Sequence, residues 1–101
     1  MVTVTKAMAR KILADVPEEK RFWLADGRYL KNLAELKAAL EEMSPETYRA
    51  HSNWEKTDFS NWVKDVMGDD KLAGDLLKSE TQQQAARSVA ERLVYLKGRA
   101  G

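Results

Sequence analysis

The stretch that decides the fold is Asn32–Met43, which reads NLAELKAALEEM. Its large apolar residues follow one another at spacings of three, four and three residues, which places them along one side of a helix. They are Leu33, Leu36, Leu40 and Met43. Asn32 can cap the first turn of this helix. Ser44 and Pro45 then favour a new helix, because serine is a good N-cap and proline is tolerated in the first turn. The sequence therefore predicts one helix after Asn32 and a short one from Pro45 to about His51.

A helix is also predicted at the start of the chain, where apolar residues recur every fourth position at Val4, Met8, Ile12 and Val16. Thr3 or Thr5 can cap its first turn. Pro17 disfavours helical backbone at the residue before it. We therefore expect this helix to end near Val16.

Three further helices are predicted in the second half of the chain, each from an apolar stripe with a start signal. The first can be capped by Asp58 and stopped by Gly68, and the second can be capped by Asp69 or Asp70. The third can begin at a capping box of Ser79 and Gln82 and end near Gly98.

Between the first helix and Asn32 the chain reads RFWLADGRYL over residues 21–30. Asp-Gly between apolar runs is typical of a two-residue hairpin turn, because both residues tolerate positive φ angles. With Asp26 and Gly27 as that turn, Leu24 lies opposite Tyr29, and Trp23 lies opposite Leu30. Alternation along each strand then sorts the large residues into two faces, one with Phe22, Leu24 and Tyr29 and the other with Trp23 and Leu30.

Together these elements predict an all-α, mainly helical fold with five or six short helices in one compact domain and a small β-hairpin near residues 21–30. The domain is expected to span 1–101, with terminal helices 1–16 and 80–98 packed against each other. The expected core is Phe22, Leu24, Leu33, Leu36, Leu40, Phe59, Trp62, Val66, Leu72, Leu76, Val89 and Leu93.

Composition excludes several classes of protein. The 101 residues make one domain's worth of chain, and the net charge is only +1. The absence of cysteine excludes a disulfide scaffold, a thiolate metal site and a cysteine nucleophile. No apolar run is long enough to span a membrane, and the first residues lack the apolar core of a signal peptide. We therefore expect a cytoplasmic protein that needs no cofactor and no membrane.

The segment from Phe22 to Ala73 resembles an uncharacterised prokaryotic family of small helical domains. The resemblance rests on the order and spacing of Phe22, Leu24, Asp26-Gly27, Leu33, Leu36, Leu40, Met43, His51, Asp58-Phe59, Trp62-Val63, Asp65-Val66 and Leu72-Ala73. Family members usually have asparagine before the Asp-Phe pair, where this chain has Thr57. The resemblance implies a small module that stands alone or is joined to larger chains, and it carries no functional residues over to this chain.

The single histidine, His51, has two readings. As a general base or ligand it would work with Asp58, seven residues further on. As a structural residue it would form a hydrogen bond near the end of its helix, in the region of Asp58. A base also needs a nucleophile or a metal, and no motif in the chain supplies one, so the structural reading is favoured.

Two sets of residues are candidates for binding other molecules. Trp23, Leu30 and Trp54 would form a protein interface if the terminal helices leave them uncovered. A basic patch for nucleic acid would form if the terminal helices pack side by side, and its members would be Lys6, Arg10, Lys11, Arg87, Arg92, Lys97 and Arg99.

The sequence therefore favours a non-catalytic protein-interaction module that binds another protein or a second copy of itself. One alternative is a nucleic-acid or ribonucleoprotein-associated protein that uses the basic terminal helices. The other is a small enzyme that uses His51.

Overall fold

The computed structural model describes residues 4–101, and it is mainly α-helical as predicted. Within these residues there are six α-helices and one hairpin of two short strands. In chain order they are α1 (Lys6–Leu13), β1 (Phe22–Trp23), β2 (Tyr29–Leu30), α2 (Leu33–Glu42), α3 (Pro45–His51), α4 (Asp58–Trp62), α5 (Asp70–Lys78) and α6 (Gln82–Ala100). A 3-10 turn, Glu18–Lys20, precedes the hairpin, and a π-helical turn, Val63–Met67, continues α4.

Most of the predicted helix starts are confirmed by side chains that accept a backbone N–H in the first turn. The caps are Thr5 for α1, Asn32 for α2, Ser44 for α3 and Asp69 for α5. Pro45 takes the first position of α3, where its missing N–H costs nothing. Gly68 adopts a φ of 74° and ends the π-helical turn, as a C′ glycine should. The other candidate cap for α1, Thr3, lies outside the described residues.

Two predicted starts are wrong. Asp58 is the first residue of α4 and not its cap, because its carboxylate is held by His51. The capping box at Ser79 and Gln82 does not form, since Thr81 caps α6 and accepts from the N–H of Gln84. Gln82 instead donates to two carbonyls at the end of α2, which would otherwise lack partners.

The terminal helices are shifted from their predicted bounds. α1 begins at Lys6 and ends at Leu13, three residues before Val16, where a hydrogen bond from Val16 N–H to the Lys31 carbonyl pulls the chain towards β2. Val4 is buried but lies before the helix, and Met8 is exposed. α6 begins and ends two residues later than predicted, at Gln82 and Ala100.

The hairpin forms where it was predicted, but with a different register. Phe22 pairs with Leu30 and Trp23 pairs with Tyr29, so the loop has three residues, Ala25 to Gly27. Gly27 has a φ of 97° and donates to the Leu24 carbonyl, which matches a type I turn followed by a left-handed residue. A shift of one residue moves every side chain of a strand to the opposite face. Leu30 therefore points into the core, and Tyr29 points outwards beside Trp23.

One core is shared by the hairpin and the six helices. α6 packs against α1, α2 and α5, which confirms that the terminal helices contact each other. Eleven of the twelve predicted core residues are buried, and the twelfth, Val66, is partly buried. The core also contains the charged residue Asp69, whose buried carboxylate accepts two hydrogen bonds from the guanidinium of Arg92.

Candidate interaction surface

The outer face of the hairpin carries two exposed aromatic side chains in contact. Trp23 is 64% exposed and Tyr29 is 46% exposed, and their ring centroids lie 5.2 Å apart. The guanidinium of Arg21 lies over the ring of Tyr29 at 4.8 Å from its centroid. We call Arg21, Trp23 and Tyr29 the aromatic patch. Neither terminal helix covers it.

The predicted pairing of Trp23 with Leu30 on one face is wrong. Leu30 is buried in the core because the three-residue loop reverses the face of β2. Leu30 therefore contributes to stability and not to an exposed surface. The same reversal brings Tyr29 to the outer face, where the sequence prediction had placed Leu30.

The inner face of the hairpin holds the aromatic patch in a fixed position. Phe22 stacks on Phe59 at 5.1 Å and meets the edge of Trp62 at 5.6 Å, measured between ring centroids. The indole N–H of Trp62 donates to the carbonyl of Lys20 at 2.8 Å, just before the strand. A surface that is rigid before binding loses less conformational freedom when a partner docks.

His51 also holds the hairpin in place. The backbone N–H of Ala25 donates to Nε2 of His51 at 2.8 Å. Because Nε2 accepts a hydrogen bond, the proton of the neutral ring lies on Nδ1, which donates to Asp58 at 3.0 Å. The ring also packs against Phe22 and Phe59. Both nitrogens are therefore engaged in contacts that join the hairpin loop, the end of α3 and the start of α4.

Trp54 is 92% exposed on the loop between α3 and α4. Asn53 shapes this loop, since its side-chain N–H₂ donates to the Arg49 carbonyl at 2.7 Å. Its side-chain oxygen accepts from the N–H groups of Glu55 and Lys56. Beside the loop is a cavity of about 340 Å³, and its walls include Tyr48, Phe59, Ser60, Leu76 and Leu77. The structure thus leaves Trp54 open to a partner, and its part in an interface stays a prediction.

The basic residues of the terminal helices do not all reach one surface. Arg92 is engaged inside the domain, because its guanidinium donates to both carboxylate oxygens of Asp69, at 2.8 and 2.9 Å. Arg10 donates to the Ala100 carbonyl and Arg99 donates to the Val4 carbonyl, so both lie where α1 meets the end of α6. The other basic residues predicted for this role are exposed: Lys6, Lys11, Arg87 and Lys97.

Arg87 lies apart from the group near the end of α6. It precedes Arg99 by twelve residues on the same helix, a separation of about 18 Å along the axis. The cavity beside Arg87 is lined by Asp75 and Glu91 together with Lys71 and Lys78, so acidic and basic side chains alternate around it. The structure therefore leaves a smaller basic cluster than the sequence predicted, made of Lys6, Arg10, Lys11, Lys97 and Arg99.

Two members of the aromatic patch were missed by the sequence prediction. A two-residue turn places Tyr29 on the face of Phe22 and Leu24, away from Trp23. Arg21 was not singled out, although it sits one residue before the strand and within reach of the outer face. A three-residue loop with Gly27 in the left-handed region, the next most common hairpin, would have placed Tyr29 correctly.

Among residues 4–101, no three histidine or acidic side chains come together in a way that could hold a metal ion. No helix in this part of the chain is long and apolar enough to cross a membrane. Comparison with protein-family models, with curated proteins and with solved structures finds no match to this chain. The resemblance to a family of small helical domains therefore stays a prediction.

Proposed function

We propose that this chain is a small protein-interaction module and that the aromatic patch is its docking surface. The observation that carries the proposal is the pair of exposed, touching rings of Trp23 and Tyr29, with the guanidinium carbon of Arg21 over the ring of Tyr29. Tryptophan, tyrosine and arginine are the residues most enriched among those that dominate binding energy at protein interfaces.

The way the patch is supported favours this role. The strands are two residues long, and the other face of the hairpin is locked by Phe22 and Leu30 in the core. Aromatic side chains placed on a rigid support bury a large area at a low entropy cost when a partner covers them. A truncation of one such residue typically weakens binding by about 2 kcal/mol or more, or roughly thirtyfold.

A non-catalytic role is part of the proposal. His51 has a partner on each ring nitrogen, so a catalytic role would require one of these contacts to break first. The resemblance to a family of modular domains supports a binding role. We also propose a cytoplasmic location, which the lack of cysteine supports.

The test is an affinity purification from cells that make the protein, compared across matched variants. Trp23→Ser removes the main ring of the patch. Val94→Ser is the control, since Val94 is an apolar side chain that is 74% exposed on α6 and is not part of the aromatic patch. The proposal predicts a protein that the wild type and Val94→Ser both retain and that Trp23→Ser loses, and that binds again as a purified component. Equal retention by all three forms would contradict it.

A second candidate function is nucleic-acid binding through the basic cluster at the junction of α1 and α6. The observation in its favour is that Arg10 and Arg99 tie these ends together, with Lys6 and Lys97 nearby in sequence. Strong backbone binding draws on roughly 6–10 phosphate contacts, which exceeds what five basic side chains supply. Titration with duplex and single-stranded nucleic acid at about 50 mM salt tests it. Absence of binding there would end this alternative.

A further inference from the structure

The side chain of Arg21 has an unpaired buried nitrogen, which its contact with the ring of Tyr29 does not explain. Its Nε is buried, and among residues 4–101 it is the one buried side-chain nitrogen or oxygen without a hydrogen-bond partner. Buried polar groups in folded proteins are nearly always paired, so each exception needs a reason. The cost is highest for a charged group such as a guanidinium.

The charges around the hairpin do not supply the missing acceptor. Asp26 is the acidic residue of the loop, and Arg28 occupies it through both its backbone N–H and its guanidinium. Glu42 also pairs with Arg28, with 3.8 Å between its Oε2 and Nη1 of Arg28. The free protein therefore leaves Arg21 as a cation that touches an aromatic face but no carboxylate.

We infer that the partner of the aromatic patch supplies a carboxylate to Arg21, next to an apolar side chain that covers Trp23. This inference rests on the proposed function, and it adds the chemistry of the partner. The guanidinium carbon lies over the ring of Tyr29, and the N–H groups of the guanidinium edge are the ones that donate to a partner. Carboxylates accept two parallel bonds from such an edge. Because Nε is buried in the free protein, the side chain has to turn on docking for Nε to join this pair of bonds.

A carboxylate fits the patch better than a phosphate does. Phosphate groups carry close to two negative charges and are recognised by clusters of arginine. The patch offers a single unpaired guanidinium, whereas Arg28 on the same hairpin is already paired. One cation on the ring of Tyr29, with the ring of Trp23 next to it, matches one carboxylate beside an apolar residue. The acceptor is an aspartate or glutamate side chain, or the free carboxyl end of a chain.

The test uses a random peptide library displayed on phage and selected on the whole protein. We expect the enriched peptides to carry an acidic residue beside an aromatic or aliphatic one. A synthetic peptide from the selection should then bind Arg21→Gln at least about tenfold more weakly than wild type, since hydrogen bonds to charged groups are strong. Arg49→Gln is the control, because Arg49 is exposed on α3 and should leave binding unchanged. Circular dichroism checks that each variant is folded.

A paired substitution in the peptide assigns the contact. Replacing the acidic residue by its amide should weaken binding to the wild type by the same factor and should not weaken binding to Arg21→Gln further. A loss on amidation of the peptide's C-terminus instead would place the carboxylate at the chain end, which also supports the inference. A peptide that binds only when phosphorylated would overturn it.

The outcomes separate this inference from the proposed function. Peptides that need Trp23 but bind Arg21→Gln as well as wild type would overturn the carboxylate and leave the docking surface standing. A selection in which no peptide prefers the wild type over Trp23→Ser would count against both.

Discussion

The buried ion pair between Asp69 and Arg92 allows the sharpest prediction about stability. The side chain of Asp69 is almost fully buried and receives donations from Nε and Nη2 of Arg92 at 2.8 and 2.9 Å. The same carboxylate accepts from the N–H of Leu72 and so caps α5. Replacing Arg92 by methionine keeps the apolar stem and leaves a buried carboxylate without its counter-charge.

The magnitude follows from the burial and the geometry. Breaking a buried pair by removing one partner costs about 3–5 kcal/mol, because the remaining charge stays desolvated. A domain of this size has a total stability of about 5–15 kcal/mol, so the loss is a large share of it. With a urea dependence of roughly 1–3 kcal/mol per molar, the unfolding midpoint should fall by at least about 1 M.

The assay is urea unfolding followed by circular dichroism, for wild type, Arg92→Met, Asp69→Asn and the double variant. The two single losses should not add, and the coupling energy should be about 1–3 kcal/mol. Arg87→Met is the control on the same helix, since Arg87 is exposed and should change stability by less than about 0.5 kcal/mol. A loss below about 1 kcal/mol for Arg92→Met would refute the view that this pair joins α5 to α6.

Three further predictions concern the hairpin and its support. Gly27→Ala should lower the free energy of unfolding by about 1–2 kcal/mol in thermal unfolding, because the φ of Gly27 is 97°. Gly98→Ala in α6 is the control and should stabilise the protein by about 0.5–1 kcal/mol. A Cβ meets nothing within 4 Å at either position, so a stabilising Gly27→Ala would contradict the left-handed turn. His51→Ala should cost about 2–4 kcal/mol and speed amide exchange in the hairpin loop, since a buried ring is lost and the Ala25 N–H loses its acceptor. Unchanged exchange would count against a role for His51 in holding the hairpin loop. Hydrogen bonds from Arg28 lower the pKa of Asp26 below its ordinary 3.8. The stability difference between wild type and Asp26→Asn should therefore be present above that pH and shrink as the pH falls below it. A difference that grows in acid would contradict the pairing of Asp26 with Arg28.

The elements that sequence reasoning located correctly are those specified by near neighbours. Asn32 and Ser44 each cap the helix that begins one residue later, and both bonds span three residues. The apolar stripe of α2 also lies within one helix, so its spacing alone shows which side faces the core. Such local signals can be read without knowing where the rest of the chain goes.

The errors arose where a distant residue or a choice between similar turns decides the outcome. Both a two-residue and a three-residue loop suit an Asp-Gly pair, and the burial of Leu30 in the core selects the longer one. Asp58 is diverted from capping by His51, which reaches it only after the loop between α3 and α4 folds back. Arg92 pairs with Asp69, the cap of α5, so its spacing on α6 alone resembles that of an ordinary exposed arginine.

The most direct test of the docking surface places a photo-reactive benzoyl-phenylalanine at position 23 in place of Trp23, and at position 94 in place of Val94 as the control. Each protein is irradiated in an extract of cells that make it, and the cross-linked products are separated and identified. Our account predicts one discrete adduct from position 23, which an excess of unlabelled wild type suppresses and an excess of Trp23→Ser does not. An adduct pattern that is the same from both positions, or the absence of any discrete adduct at position 23, would contradict the claim that the aromatic patch binds a protein.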